Sequence, residues 1–139
     1  MRANSMISDE YIDFVIGLVS PASKNLEDLV SRLEYLDTST DYINIPGMIT
    51  GAKGLTCESA EVEDIIKKVV FQGKPLDEET LHHIKLELGD ALFYFVLLCD
   101  ALDTDPKEVM LMNIDKLSKR FTSGKFTVVE SENRKEGDK

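Results

Sequence analysis

Two long helical segments of this chain carry pairs of acids on their apolar faces, and any fold the chain adopts must accommodate them. The pairs are Glu58-x-x-Glu61 and Glu87-x-x-Asp90. A spacing of three sets both carboxylates of a pair on neighbouring positions of one helix face. At about 100° per residue, Glu58 projects between Val62 and Ile65 with Val69 in the same sector, and Glu87 projects with Ala91, Tyr94 and Leu98. Glu61 and Asp90 fall at the edges of these stripes, where a cleft between two helices opens. Burying unpaired carboxylates is costly, and four that converge raise one another's pKa. A hard divalent cation removes both penalties, because Mg²⁺ prefers oxygen ligands and shares them with substrate phosphates. Glu58, Glu61, Glu87 and Asp90 are therefore the candidate metal ligands. A single such pair would read as ordinary surface acids, since Glu forms helices well. Two pairs on adjacent apolar faces favour the metal.

The remainder of the chain is punctuated for helices. Residues 8–19 open with Ser-Asp-Glu and continue at helical spacing until Pro21. Ser23 or Asn25 caps a second helix to about Leu36, with Leu26, Leu29, Val30 and Leu33 on one face. Residues 37–44, rich in Thr, Ser and Asp, read as a loop. A third helix starts near Pro46 and runs to about Phe71, where Gln72-Gly73-Lys74-Pro75 breaks it. Asp77 caps a fourth helix to about Leu102, and Asp105-Pro106 opens a fifth that ends near Phe121. Beyond Gly124, residues 126–129 are β-prone, and a charged stretch closes an irregular tail over residues 122–139. Short connections between helices predict an antiparallel all-α bundle. The 139 residues suit one domain spanning 1–139 rather than two. Residues 1–5, ahead of Met6, are compatible with a non-native extension.

Composition narrows the function. Net charge is −10, and the basic residues gather only in the C-terminal third, which argues against polymeric DNA or RNA as partner. An acidic protein can still take a phosphorylated small molecule when metal supplies the positive charge. The longest strongly apolar stretch, residues 91–99, is far short of the roughly 20 residues a membrane span needs. No secretory signal pattern is present, and Cys57 and Cys99 lack paired spacing, so free thiols in a reducing cytoplasm are expected.

The fifth helix supplies the opposite charge. Asn113, Lys116 and Arg120 fall at i, i+3 and i+7 on one face, where they could hold a polyphosphate through charge-assisted hydrogen bonds. Taken alone, the same residues would read as a solvated basic end complementing the helix dipole. His82 and His83 are adjacent and point about 100° apart, so they read as surface residues or supports rather than as a ligand pair. Lys67 and Lys68 fall on the polar side, Cys57 has no basic partner, and Phe93, Tyr94 and Phe95 read as core or subunit contacts. The fourth helix is apolar nearly all round, which predicts a homo-oligomer with this helix and the N-terminal helices in the interface.

The order Glu58-Ser59-Ala60-Glu61, then Glu87-Leu88-Gly89-Asp90 with its aromatic run, then Asn113-Ile114-Asp115-Lys116 with Arg120-Phe121 resembles the MazG family of nucleotide pyrophosphohydrolases. The resemblance covers about residues 47–121, and Gly124-Lys125-Phe126 with residues 131–138 is similar to the end of small stand-alone members, many phage-encoded. It implies the MazG-type all-α NTP pyrophosphatase fold, with Glu58, Glu61, Glu87 and Asp90 as Mg²⁺ (or Mn²⁺) ligands and Lys116 and Arg120 on the phosphates. The implied reaction cleaves (deoxy)nucleoside triphosphates between the α- and β-phosphates, in dimers or tetramers located in the cytoplasm, the host's if the chain is phage-encoded. The connection over residues 71–80 is longer than in minimal members, so base preference does not carry over. Metal would activate a water, and Glu61 is the acid assigned to take its proton.

Three other readings compete. One is a narrower pyrophosphatase for dUTP, dCTP or a phosphoribosyl-nucleotide. Another is a non-catalytic helical interaction module. The third, a metal-sensing or storage bundle, would be expected to use Glu-x-x-His ligands, whereas the paired acids here are Glu-x-x-Glu and Glu-x-x-Asp, which suit Mg²⁺ better.

Overall fold

The computed structural model describes residues 7–133, and these contain helices and no strand. They fall into two compact units, residues 7–41 and residues 42–133. Residues 1–5 and the tail motif beyond residue 133 lie outside the described residues.

In the first unit, α1 spans Asp9–Leu18, and its N-cap Ser8 accepts the Tyr11 amide through its hydroxyl at 3.2 Å. A 3₁₀ turn at Pro21–Ser23 leads to α2, Leu26–Ser39, where the Asn25 side chain accepts the Asp28 amide at 2.8 Å. Of the two caps the sequence offered, Asn25 is the one used. The helix also runs on into residues expected to form a loop. There the Thr38 and Thr40 hydroxyls donate back to the carbonyls of Glu34 and Leu36, at 2.9 and 2.8 Å, so residues that commonly leave a helix tie up its last carbonyls instead.

The second unit is built on a long antiparallel pair. Helix α3, Ile45–Gln72, is capped by Asn44 and ends on Gly73, whose φ of 73° is the left-handed conformation that glycine adopts freely. Helix α4, Glu78–Ala101, starts at Asp77, which accepts the amide of the buried Thr80 at 2.9 Å. This hydrogen bond holds the Asp77 carboxyl below its ordinary range. Helix α5, Pro106–Arg120, carries its proline in the first turn, where a missing N–H does no harm, and packs only sparsely on α4.

Three glycines bring α3 and α4 together. A Cβ on Gly54 would lie 2.2 Å from the Tyr94 ring, one on Gly51 would lie 3.0 Å from the Leu98 backbone, and one on Gly47 would lie 3.1 Å from Ala101 Cβ. The Asn44 amide donates to the Ala101 carbonyl at 2.9 Å and pins that end. Ile45, Ile65, Cys99 and Ala101 form the buried apolar core.

Of residues 126–129, expected to be β-prone, Val128 and Val129 instead enter a short helix, α6, Val128–Glu132. Thr127 accepts the Glu130 amide at 3.2 Å and donates its hydroxyl to the Glu130 carboxylate at 2.7 Å. This reciprocal cap overrides the strand preference of Val128 and Val129. No described helix is long and apolar enough to cross a membrane.

Candidate metal centre

The glycine contacts fix the register of the pair. Gly47 meets Ala101, Gly51 meets Leu98 and Gly54 meets Tyr94. Continued along the two helices, the same antiparallel register sets Glu58 and Glu61 level with Asp90 and Glu87. One carboxylate oxygen each from Glu58, Glu61 and Glu87 come within 4.8 Å of one another. Glu87 is buried at 9% exposure, Glu58 is half-buried, and Glu61 and Asp90 are exposed. This gradient follows the sequence reading, with the stripe-centred acids inside and the edge acids at the rim.

Asp90 does not join the three closest oxygens, yet its charge reaches them. The Glu58 carboxyl is raised above its ordinary value, first by loss of solvent and then by repulsion from Glu61, Asp90 and Glu87. Three like charges acting on one partly desolvated carboxyl favour a cation beside it. The donors are all hard carboxylate oxygens, close enough for an ion with ligands at about 2.1 Å to draw together. By donor chemistry and spacing, the residues fit a divalent metal.

The basic residues divide. Lys67 and Lys68 both pair with Asp64, whose carboxyl they hold down at about 2. The expectation that they lie on the polar side thus gains a partner, Asp64. Asn113 and Lys116 are exposed on α5, with no hydrogen bond or ion pair to the four acids among the described residues. Arg120 is half-buried and lies over the Phe121 ring at 5.9 Å. The three α5 residues share a helix face, but the carboxylates meet without them.

Of the two histidines, His83 has a specific neighbour. Its Nε2 lies 2.8 Å from Glu87 Oε1, one turn along α4. A cavity of about 380 Å³ opens beside this contact, walled by Lys74, Pro75, Thr80, His82, His83 and Leu86. The sequence reading of His82 and His83 as surface residues or supports left the two undistinguished, and the signal that singles out His83 is its i, i+4 spacing to Glu87. The glycines on α3 were missed altogether, although Gly47, Gly51 and Gly54 recur at helical spacing. Tyr94 is half-buried against Gly54 and packs edge-on to Phe93, ring centroids 5.1 Å apart, consistent with its reading as a packing residue. Cys57 is exposed and Cys99 buried, and both are free thiols.

The sequence model of the MazG nucleotide pyrophosphohydrolase domain matches residues 48–123, more than half of the chain and the whole of the paired-acid region. No curated protein and no solved structure matches the chain.

Proposed function

We propose that this chain, which belongs to the MazG nucleotide pyrophosphohydrolase family, hydrolyses (deoxy)nucleoside triphosphates to monophosphate and pyrophosphate with Mg²⁺, or Mn²⁺ in its place. The observation that carries the reading is the convergence of Glu58, Glu61 and Glu87 from two helices, with Glu58 raised by its acidic neighbours. Such a cluster is unfavourable without a cation and well suited to one that a triphosphate can share.

In this reading Glu58, Glu61, Glu87 and Asp90 hold the metal. When bound, the metal supplies positive charge against the triphosphate and lowers the pKa of an attacking water. Glu61, exposed at the rim, accepts the proton of that water. Asn113, Lys116 and Arg120 hold the phosphate chain. The sparse packing of α5 on α4 leaves that helix able to meet the substrate from the side, or to serve a site on a neighbouring copy. A homo-oligomer, dimer or tetramer, is part of the proposal. Leu92 at 59% and Phe93 at 62% exposure on α4 support it, as contiguous apolar surface of this kind marks an interface. The acidic balance supports a nucleotide rather than a nucleic-acid polymer as substrate. The expected place of action is the cytoplasm, the host's if the chain is phage-encoded.

Incubation with Mg²⁺ and each common NTP and dNTP, with products resolved by chromatography, tests the reading. Monophosphate and pyrophosphate, absent in Glu58→Ala/Asp90→Ala, are expected. Turnover confined to dUTP, dCTP or a phosphoribosyl-nucleotide would replace the broad reading with the narrow one. A folded protein that binds no Mg²⁺ and cleaves nothing would leave a helical interaction module. Light scattering at micromolar concentration checks the oligomer, and a monomer would remove that part.

A further inference from the structure

We propose that His83 is a positioning residue that holds the Glu87 carboxylate for metal binding; this rests on the reading of Glu87 as a ligand. Glu87 is the most buried of the four acids, and the contact between His83 Nε2 and Glu87 Oε1 at 2.8 Å is an ion-pair or hydrogen-bond distance. No hydrogen bond or ion pair among the described residues fixes the side chain of Glu58 or Glu61 in this way. The site therefore has one anchored carboxylate and others free to adjust around it.

The chemistry follows from the two oxygens of a carboxylate. With Oε1 accepting from the His83 ring N–H, the plane of the Glu87 carboxylate is set and its second oxygen is left for the ion. An outer partner of this kind fixes a ligand's orientation. The role does not depend on the charge of His83, because Nε2–H donates from the neutral tautomer as well as from the cation. The histidine side chain is 49% exposed, contacts Glu87 and is one of the residues lining the cavity beside Lys74 and Pro75. His82, about 100° round the helix, cannot substitute for it.

Two other roles would produce the same contact. His83 could compete with the metal for Oε1, or the pair could be a surface ion pair of negligible effect. Mn²⁺ binding by the full chain, followed by electron paramagnetic resonance of the free ion, separates them. Positioning predicts that His83→Leu weakens Mn²⁺ about 10-fold. His83→Gln, whose amide can reach Oε1, recovers most of that loss, and His82→Leu binds as wild type. The melting temperature in EDTA stays at the wild-type value for each. His83→Asn, too short to reach Oε1, serves in place of His83→Leu if that variant misfolds. The Mg²⁺ concentration for half-maximal turnover should rise by a similar factor, while turnover at saturating Mg²⁺ changes little.

Unchanged or tighter Mn²⁺ binding in His83→Leu, or equal loss in His83→Leu and His83→Gln, overturns the proposal. Wild-type binding that survives Glu87→Ala also overturns it, since Glu87 would then not be a ligand. Absence of Mn²⁺ binding by the wild type sinks the metal-dependent function as well. Binding lost in Glu87→Ala but intact in His83→Leu sinks this inference alone.

Discussion

The two ends of the α3–α4 pair solve opposite problems with the same two helices. At one end Gly47, Gly51 and Gly54 let backbones approach so closely that an added Cβ would strike Ala101, Leu98 or Tyr94. At the other end Glu58, Glu61 and Glu87 meet across the same interface, with Asp90 just outside the group, and the raised Glu58 carboxyl records their repulsion. Close packing is favourable in itself, through dispersion and loss of apolar surface to water. The acidic end is not, and must be held in place by the glycine end until a cation arrives. The difference teaches that the register of this pair is set where nothing chemical happens and used where nothing packs well.

The largest effect expected from breaking the comparison lies at the acidic end. Glu87→Ala removes the buried acid, and nucleotide hydrolysis should fall by about a thousandfold, a loss of several kcal/mol in transition-state stabilisation. Steady-state assays at saturating Mg²⁺ check this, and near-normal turnover would show that the acids are ordinary surface charges. At the glycine end, Gly54→Leu forces a side chain into the Tyr94 ring and should destabilise the fold by about 3 kcal/mol in chemical denaturation. A loss at the level of a surface substitution would mean that the helices are set by something else.

A third substitution sharpens the contrast. Gly89, between Leu88 and Asp90, has nothing within 4 Å of its hypothetical Cβ. Gly89→Ala should therefore stabilise the fold by up to about 1 kcal/mol, from helix propensity alone, where Gly54 gives the opposite sign. Thermal unfolding decides between them, and destabilisation at Gly89 would reveal a neighbour there, such as a second copy.

The smallest effects are those of pH, and they run in opposite directions. The Glu58 carboxyl is raised, so in EDTA its protonated form favours the folded chain, and that contribution is lost as pH rises through the folded value. Mild acidification should stabilise the metal-free protein, and Glu58→Gln should flatten the response. Asp64 is held at about 2 by Lys67 and Lys68 against an ordinary 3.8, so its contribution is present above 3.8 and lost as pH falls toward 2. The group is well exposed and solvent screens the pairs, so Asp64→Asn should shift acid unfolding only slightly. A pH profile of stability in wild type and the two variants checks both signs.

Much of this was legible before any coordinates. Helix existence and order followed from caps and breakers, because Ser8, Asn25, Asp77 and Asp105 act on amides two or three residues away. The acid pairs were legible because a spacing of three on an apolar stripe is a local fact. The misses were also local in position but not in cause. Thr38 and Thr40 read as loop residues, yet their hydroxyls close on the helix carbonyls, a choice that side-chain type leaves open. Val128 and Val129 read as strand, and a cap involving Thr127 and Glu130 drew them into a helix.

By itself the sequence determined an all-helical chain, the membership of each acid in a stripe or its edge, and the family. The first two depend on periodicity within one helix and the family on the order of motifs along the chain, both of which residue order fixes. Only the tertiary structure decided which acids converge closely, leaving Asp90 just outside the group of Glu58, Glu61 and Glu87, and which histidine contacts Glu87. Those outcomes depend on the depth and register of one helix against another. Here both are set by the missing Cβ atoms of three glycines, whose effect appears only once a second helix lies against them.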